Sequence, residues 1–279
     1  MRNSFYGWYL KCQSDTQTIA VIPAVHQAGR KRTCSIQVIT EEGSWTVAYP
    51  GKAFKQKGKR ISIGQNSFDE NGIYLAVNTQ KLHMKGRLRF GPLSPLKYSI
   101  MGPFSMLAFM ECSHSIFSMR HAVSGTLFVN GEKYVFQDAL GYWEGDEGRS
   151  FPKSYIWTQC FLPEGSVMLS VADIPVGRWS FTGIIAVVLW KGKEYRLATY
   201  LGARSIQIDE DLVRIRQGKM ELEARLLEPA EKRLRAPHQG KMARTIHESA
   251  ACKAFYRFRK DGRTIFALES DRASFEYEK

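Results

Sequence analysis

The chain has 279 residues, of which 44% are hydrophobic, 24% charged and 12% aromatic, and its net charge is +13. These are the proportions of a globular protein that fits one large domain or two smaller ones. No run of about 18 apolar residues occurs, so no helix is expected to span a bilayer. The five cysteines (Cys12, Cys34, Cys112, Cys160, Cys252) are odd in number and lack a CxxC pair, which argues against a disulfide framework and a zinc site.

In chain order, the N-terminal MRNSFYGWYLKCQSD lacks the apolar core and small-residue end of a secretory signal. With the cysteine usage it predicts a reducing, cytoplasmic setting. Period-two alternation predicts strands over 18–25, 34–39, 45–49, 73–77 and 82–90. Between them, KAFKQKGKR at 52–60 reads as a polar-tipped hairpin and is the densest basic cluster. It holds one aromatic, not the stacking platform that RNA recognition needs, so no nucleic-acid partner is expected. Attraction of the basic surface to anionic lipid headgroups stays open.

The proline-rich 91–106 reads as a long packed loop. Further strands are expected over 116–129, 133–144, 155–161, 167–172, 181–190, 194–200, 219–227, 254–259 and 264–269. Asn130-Gly131, Lys191-Gly192 and Asp261-Gly262 are dipeptides that close two-residue hairpins. The 209–225 stretch has helical charge spacing among strands and reads either way. The fold class is therefore all-β, with enough strands for two barrels or sandwiches in tandem. The expected division is 1–149 and 150–279. No GxSxG elbow or glycine-rich phosphate loop occurs.

The most informative string is GYWEGDEGRSFPKSYIWTQ, 141–159. It reads as a strand broken at Gly145, Gly148 and Pro152, with Glu144, Asp146, Glu147 and Arg149 at a turn between apolar strands. Acids set among aromatics can be held protonated by burial, or they pair with Arg149 in a solvated turn. If Asn130-Gly131 forms a type I′ turn with no bulge beyond it, Phe117 opposes Glu144 and Ser115 opposes Asp146. One face then carries Phe117, Met119 and His121 with Tyr142, Glu144 and Asp146, while His114 falls on the other. His121 reads equally well as a core histidine.

Together with GPF at 102–104, MECSHSIFSMRHAVSG at 110–125, ADIP at 172–175, FTGIIA at 181–186 and RLATY at 196–200, this string resembles the tocopherol cyclase family. The resemblance is strong over the middle of the chain. It implies two tandem lipocalin-like antiparallel β-barrels, and an enzyme that closes a ring on a prenylated quinol or related isoprenoid lipid in an apolar cavity. That reaction protonates an alkene and needs no cofactor and no metal. On this footing Asp146 is the expected proton donor, with Glu144 as its like-charged neighbour and His121 or His114 orienting a carboxyl or accepting the phenol proton. The substrate-binding candidates are Tyr142, Trp143, Phe117, Met119, Phe151, Tyr155, Trp157 and Glu111; Asp138 is a further acid. The chain departs from the family at Glu147, where an indole is common. Two other functions use the same cavity: a carrier of a hydrophobic lipid or pigment, and a hydratase that admits water to the cation. Any contact with anionic membrane would be peripheral.

Overall fold

Alternating side chains and left-handed turn residues lay down strands through most of the chain. The structure, a computed structural model, describes residues 3–106, 110–176, 178–228, 232–238 and 240–278. The first sheet contains β1 (Ser4–Gln13), β2 (Thr18–Ala28), β3 (Lys31–Thr40), β4 (Ser44–Pro50), β5 (Phe54–Lys57), β6 (Arg60–Ile63), β7 (Asn66–Asp69), β8 (Gly72–Asn78), β9 (His83–Phe90), β10 (Cys112–Val129) and β11 (Glu132–Gly148). Their order is β4-β3-β2-β1-β11-β10-β9-β8-β7-β6-β5.

The second sheet contains β12 (Tyr155–Leu162), β13 (Gly165–Val176), β14 (Trp179–Trp190), β15 (Lys193–Ala198), β16 (Arg204–Ile208), β17 (Leu212–Gln217), β18 (Met220–Leu226), β19 (Lys232–His238), β20 (Lys241–Lys260) and β21 (Arg263–Glu278). Its order is β15-β14-β13-β12-β21-β20-β18-β17-β16, with β19 on β20. The fold is thus all-β, two lipocalin-like antiparallel barrels. Each sheet wraps its own core: Trp8, Leu10, Ile36, Phe68, Leu88 and Trp143 in the first, Ile156, Val188, Leu222, Phe258 and Phe275 in the second.

The chain contacts divide into two compact units that interleave in sequence. One is 1–96, 114–151 and 234–245; the other is 97–113, 152–233 and 246–279. The segment from 97 is fastened within the second unit by RLATY. Arg196 donates to the carbonyls of Ser99 (2.6 Å) and Tyr98 (2.9 Å), and its guanidinium lies 3.6 Å from the Tyr98 ring centre. Gly102, at φ 50°, leaves room for the Tyr200 ring, since a Cβ there would lie 2.5 Å from Cζ. Phe104 meets that ring edge-on at 5.6 Å. The GPF and RLATY strings therefore build scaffold.

All three expected hairpin dipeptides adopt left-handed backbone at both residues, with Asn130 and Gly131 at φ 50° and 90°. The 52–60 cluster is a hairpin, with Lys57 opposite Arg60. Two local features lie beyond the sequence expectations and two expectations need correction. First, β1 was hidden from period-two analysis because its residues are buried on both faces. Second, 209–225, which reads either way, holds the β17–β18 hairpin: its charges form cross-strand pairs, with Arg214 opposite Glu223 and Arg216 opposite Glu221.

Third, Gly145 does not break β11, which continues to Gly148. A Cβ at Gly145 would lie 2.8 Å from Trp8 and 2.9 Å from Phe117, so glycine lets two core rings press on the strand. Fourth, Asp138 has left-handed backbone, φ 52°, and is exposed. Before it Tyr134 and Phe136 point inward; after it the inward positions are Ala139 and Trp143. One inserted residue has exchanged the faces of the strand.

Candidate active site

The bulge at Asp138 decides which side chains meet. It turns Glu144 and Asp146 away from the barrel core and onto the face carrying His114. His114 Nδ1 lies 2.9 Å from Asp146 Oδ1, and its Nε2 lies 3.1 Å from Glu144 Oε2. The Tyr142 hydroxyl donates to the same Glu144 oxygen at 2.5 Å. Tyr142, Glu144 and His114 are buried, with Glu144 only 4% exposed. The Asp146 side chain keeps 24% of its surface in solvent.

The proton inventory of this cluster is unusual. Carboxylates only accept, and here one faces each imidazole nitrogen, so both ring nitrogens act as donors or one carboxyl is protonated. Burial alone would push His114 down, but the charges of Glu144 and Asp146 hold it well above its ordinary value. Burial raises the Glu144 carboxyl, against the opposing pull of His114. The pair therefore keeps one proton above the usual carboxylate range. Burial and the neighbouring Glu144 charge push the Tyr142 phenol far up, so it stays a neutral donor.

The three groups could also offer ligand atoms to a cation, since these lie within 4.8 Å of one another. However, the carboxylates engage opposite nitrogens of one ring. His114 Nδ1 is already hydrogen-bonded to Asp146, so an ion there would have to displace that contact.

The other expected site residues lie elsewhere. His121 faces the barrel interior, where a Cβ on Gly141 would collide with its Nε2. Its Nδ1 is 2.9 Å from Ser118 Oγ, its ring lies against Phe90 at 4.5 Å, and burial lowers its pKa to about 4. It is a core histidine, and it does not share a face with the acids as the bulge-free register implied. Trp143 and Phe117 pack against each other at a tilt and edge-on against Trp8 in the same core. Met119 is buried, with its N–H on Ser94. Phe151 packs edge-on against Phe5 at 5.3 Å. Tyr155 and Trp157 are buried on β12 of the second unit, where the Tyr155 hydroxyl bonds Glu276. Glu111 is half-buried in the 97–113 segment. Of the expected residues, the structure brings together His114, Tyr142, Glu144 and Asp146.

Two residues on this face escaped the sequence reading. Lys11 is fully buried and lies opposite Tyr142 across β1 and β11; Tyr9 lies opposite Glu144. Opposed residues share a sheet face, and a lysine reaches its diagonal neighbour. The signal was present in FYGWYLKC, where a single cation interrupts an apolar run.

A family model described as tocopherol cyclase-like matches residues 49–276. Curated proteins give no match. Among solved structures, kievitone hydratase from Nectria haematococca is similar with a TM-score of 0.57 and 10% identity, over 98% of this chain and 88% of that one. CghA with Sch210972 gives a TM-score of 0.63 and 9% identity, over 99% and 88%. CghA in a second structure gives 0.61 and 9% over the same shares. At these identities the likeness is one of fold.

Proposed function

Since the chain belongs to the tocopherol cyclase-like family, we propose that it is an acid catalyst that closes a ring on an isoprenoid lipid bearing a phenol. The observation that carries this is the buried Glu144, hydrogen-bonded by Tyr142 and 3.1 Å from His114 Nε2. Acid catalysis near neutral pH needs a carboxyl lifted above its usual range, and burial beside a second acid does this. The donor role passes from Asp146 to Glu144, because Asp146 is partly solvated while Glu144 is not.

In this reading Glu144 gives its proton to the less substituted carbon of a trisubstituted alkene. The new C–H bond leaves a tertiary cation on the adjacent carbon. The substrate's phenol oxygen donates an electron pair to that cation, forming the C–O bond, and its proton returns to the Glu144–His114 pair. The net change is an isomerisation. Asp146 orients the imidazole through Nδ1, and Tyr142 holds the Glu144 oxygen in place.

A hydratase is the second reading. It is favoured by the exposed edge of Asp146, through which water could reach the cation. The test is incubation with a prenylated quinol in deuterated water, followed by mass analysis. Cyclisation fixes one deuterium on carbon without adding the mass of water; hydration adds it; a carrier incorporates nothing. Glu144→Gln is expected to abolish incorporation, and turnover retained in that variant would refute the assignment.

A further inference from the structure

Strands β13 and β14 outrun their neighbours. The pairing of β12 with β13 ends at Tyr155 and Ala172, and that of β14 with β15 at Ile185 and Ala198. The pairing of β13 with β14 continues from Asp173 opposite Thr182 to Val176 opposite Trp179. Residues 173–176 and 179–182 thus form a two-stranded ribbon extending past the sheet. Its described residues are exposed or half-buried.

The end of the ribbon is apolar. Trp179 is 83% exposed and Val176 38%. Farther back, Phe104 packs on Phe181 at 5.9 Å, and nearby in sequence Met106 is 81% exposed. Indole rings are ordinarily buried at least in part. An exposed tryptophan at the apex of a projecting element is a surface awaiting a partner.

We infer that the β13–β14 ribbon is a docking element that places Trp179 and Val176 in the headgroup region of an anionic lipid bilayer. Indole favours that depth because its ring is apolar while its N–H stays hydrogen-bonded. Arg178 is exposed next to Trp179 at the tip, with Asp173 exposed at the ribbon's base, and the chain's net charge of +13 draws it to anionic headgroups. Self-association is a poorer fit. A stable dimer buries about 800 Å² per partner, whereas two side chains of this size offer roughly 300–400 Å². The inference does not depend on the catalytic reading, because it is tested without turnover.

The experiment measures co-sedimentation of the full chain with phosphatidylcholine vesicles and with the same vesicles doped with phosphatidylserine. The expected result is binding to the doped vesicles that weakens with salt. Trp179→Ala should lower that affinity by about tenfold with an unchanged melting temperature. Ile206→Ser, on the exposed strand β16, should bind as the wild type does. The inference is overturned if the wild type binds neither vesicle or if Trp179→Ala binds as tightly as the wild type. It is equally overturned if the variant instead dissolves a dimer seen by light scattering.

Discussion

His114 and His121 stand on the same strand and both are buried, but they report opposite environments. His121 points into a core of rings, bonds one serine and has its pKa lowered to about 4 by burial. His114 points to the other face, lies between two carboxylates and is held well above its ordinary value. Burial of an imidazole therefore does not set its charge; the groups it meets do. The same contrast divides β11, where Trp143 fills the core and Tyr142 and Glu144 form the acid cluster.

The largest expected effect that could break this comparison is on catalysis. Glu144→Gln should lower turnover by about a hundredfold to ten-thousandfold in steady-state assays, while His121→Asn changes it little. Stability comes next. Removing the partner of a buried carboxylate costs about 3–5 kcal/mol, so His114→Ala should approach that loss in urea melts.

The two histidines should also bend the pH dependence of stability in opposite senses. His114, with its folded pKa raised, contributes fully below the unfolded value near 6.5 and loses that contribution as pH rises through the folded midpoint. Glu144, also raised, works in the same sense from the unfolded value near 4.5 upward. His121 does the reverse: between 6.5 and about 4 the unfolded chain takes up a proton that the native core refuses, so acidification destabilises. Urea midpoints across pH should show the alkaline slope flattened in His114→Asn and the acid slope flattened in His121→Asn. The smallest effect sharpens the role of Lys11. Lys11→Met removes a buried positive charge from the His114 face and should move the His114 midpoint upward in an NMR titration, with Lys11→Arg restoring it.

Much of this molecule was legible from its residues. Asn130-Gly131 and Asp261-Gly262 marked hairpins because few residues other than Gly, Asn and Asp accept left-handed backbone in succession, while Lys191-Gly192 was marked by its glycine. The string 141–159 holds Tyr142, Glu144 and Asp146, which the fold brings against His114. What could not be read was the inserted residue at Asp138. Aspartate tolerates left-handed backbone without requiring it, so nothing in the sequence announces a bulge there. That one residue exchanged His121 for His114 as partner of the acids. Strand β1 and its buried Lys11 were obscured for a different reason: a strand covered on both faces loses the alternation that reveals strands.

The central claim is that the outer face of β11 stores a transferable proton on Glu144 and His114. Its most direct test is a carbon-13 NMR titration of the Glu144 carboxyl in the folded protein, assigned with Glu144→Gln. The account predicts a midpoint above the ordinary value of 4.5, moving when His114 is replaced. A midpoint at or below 4.5, indifferent to His114, would contradict it.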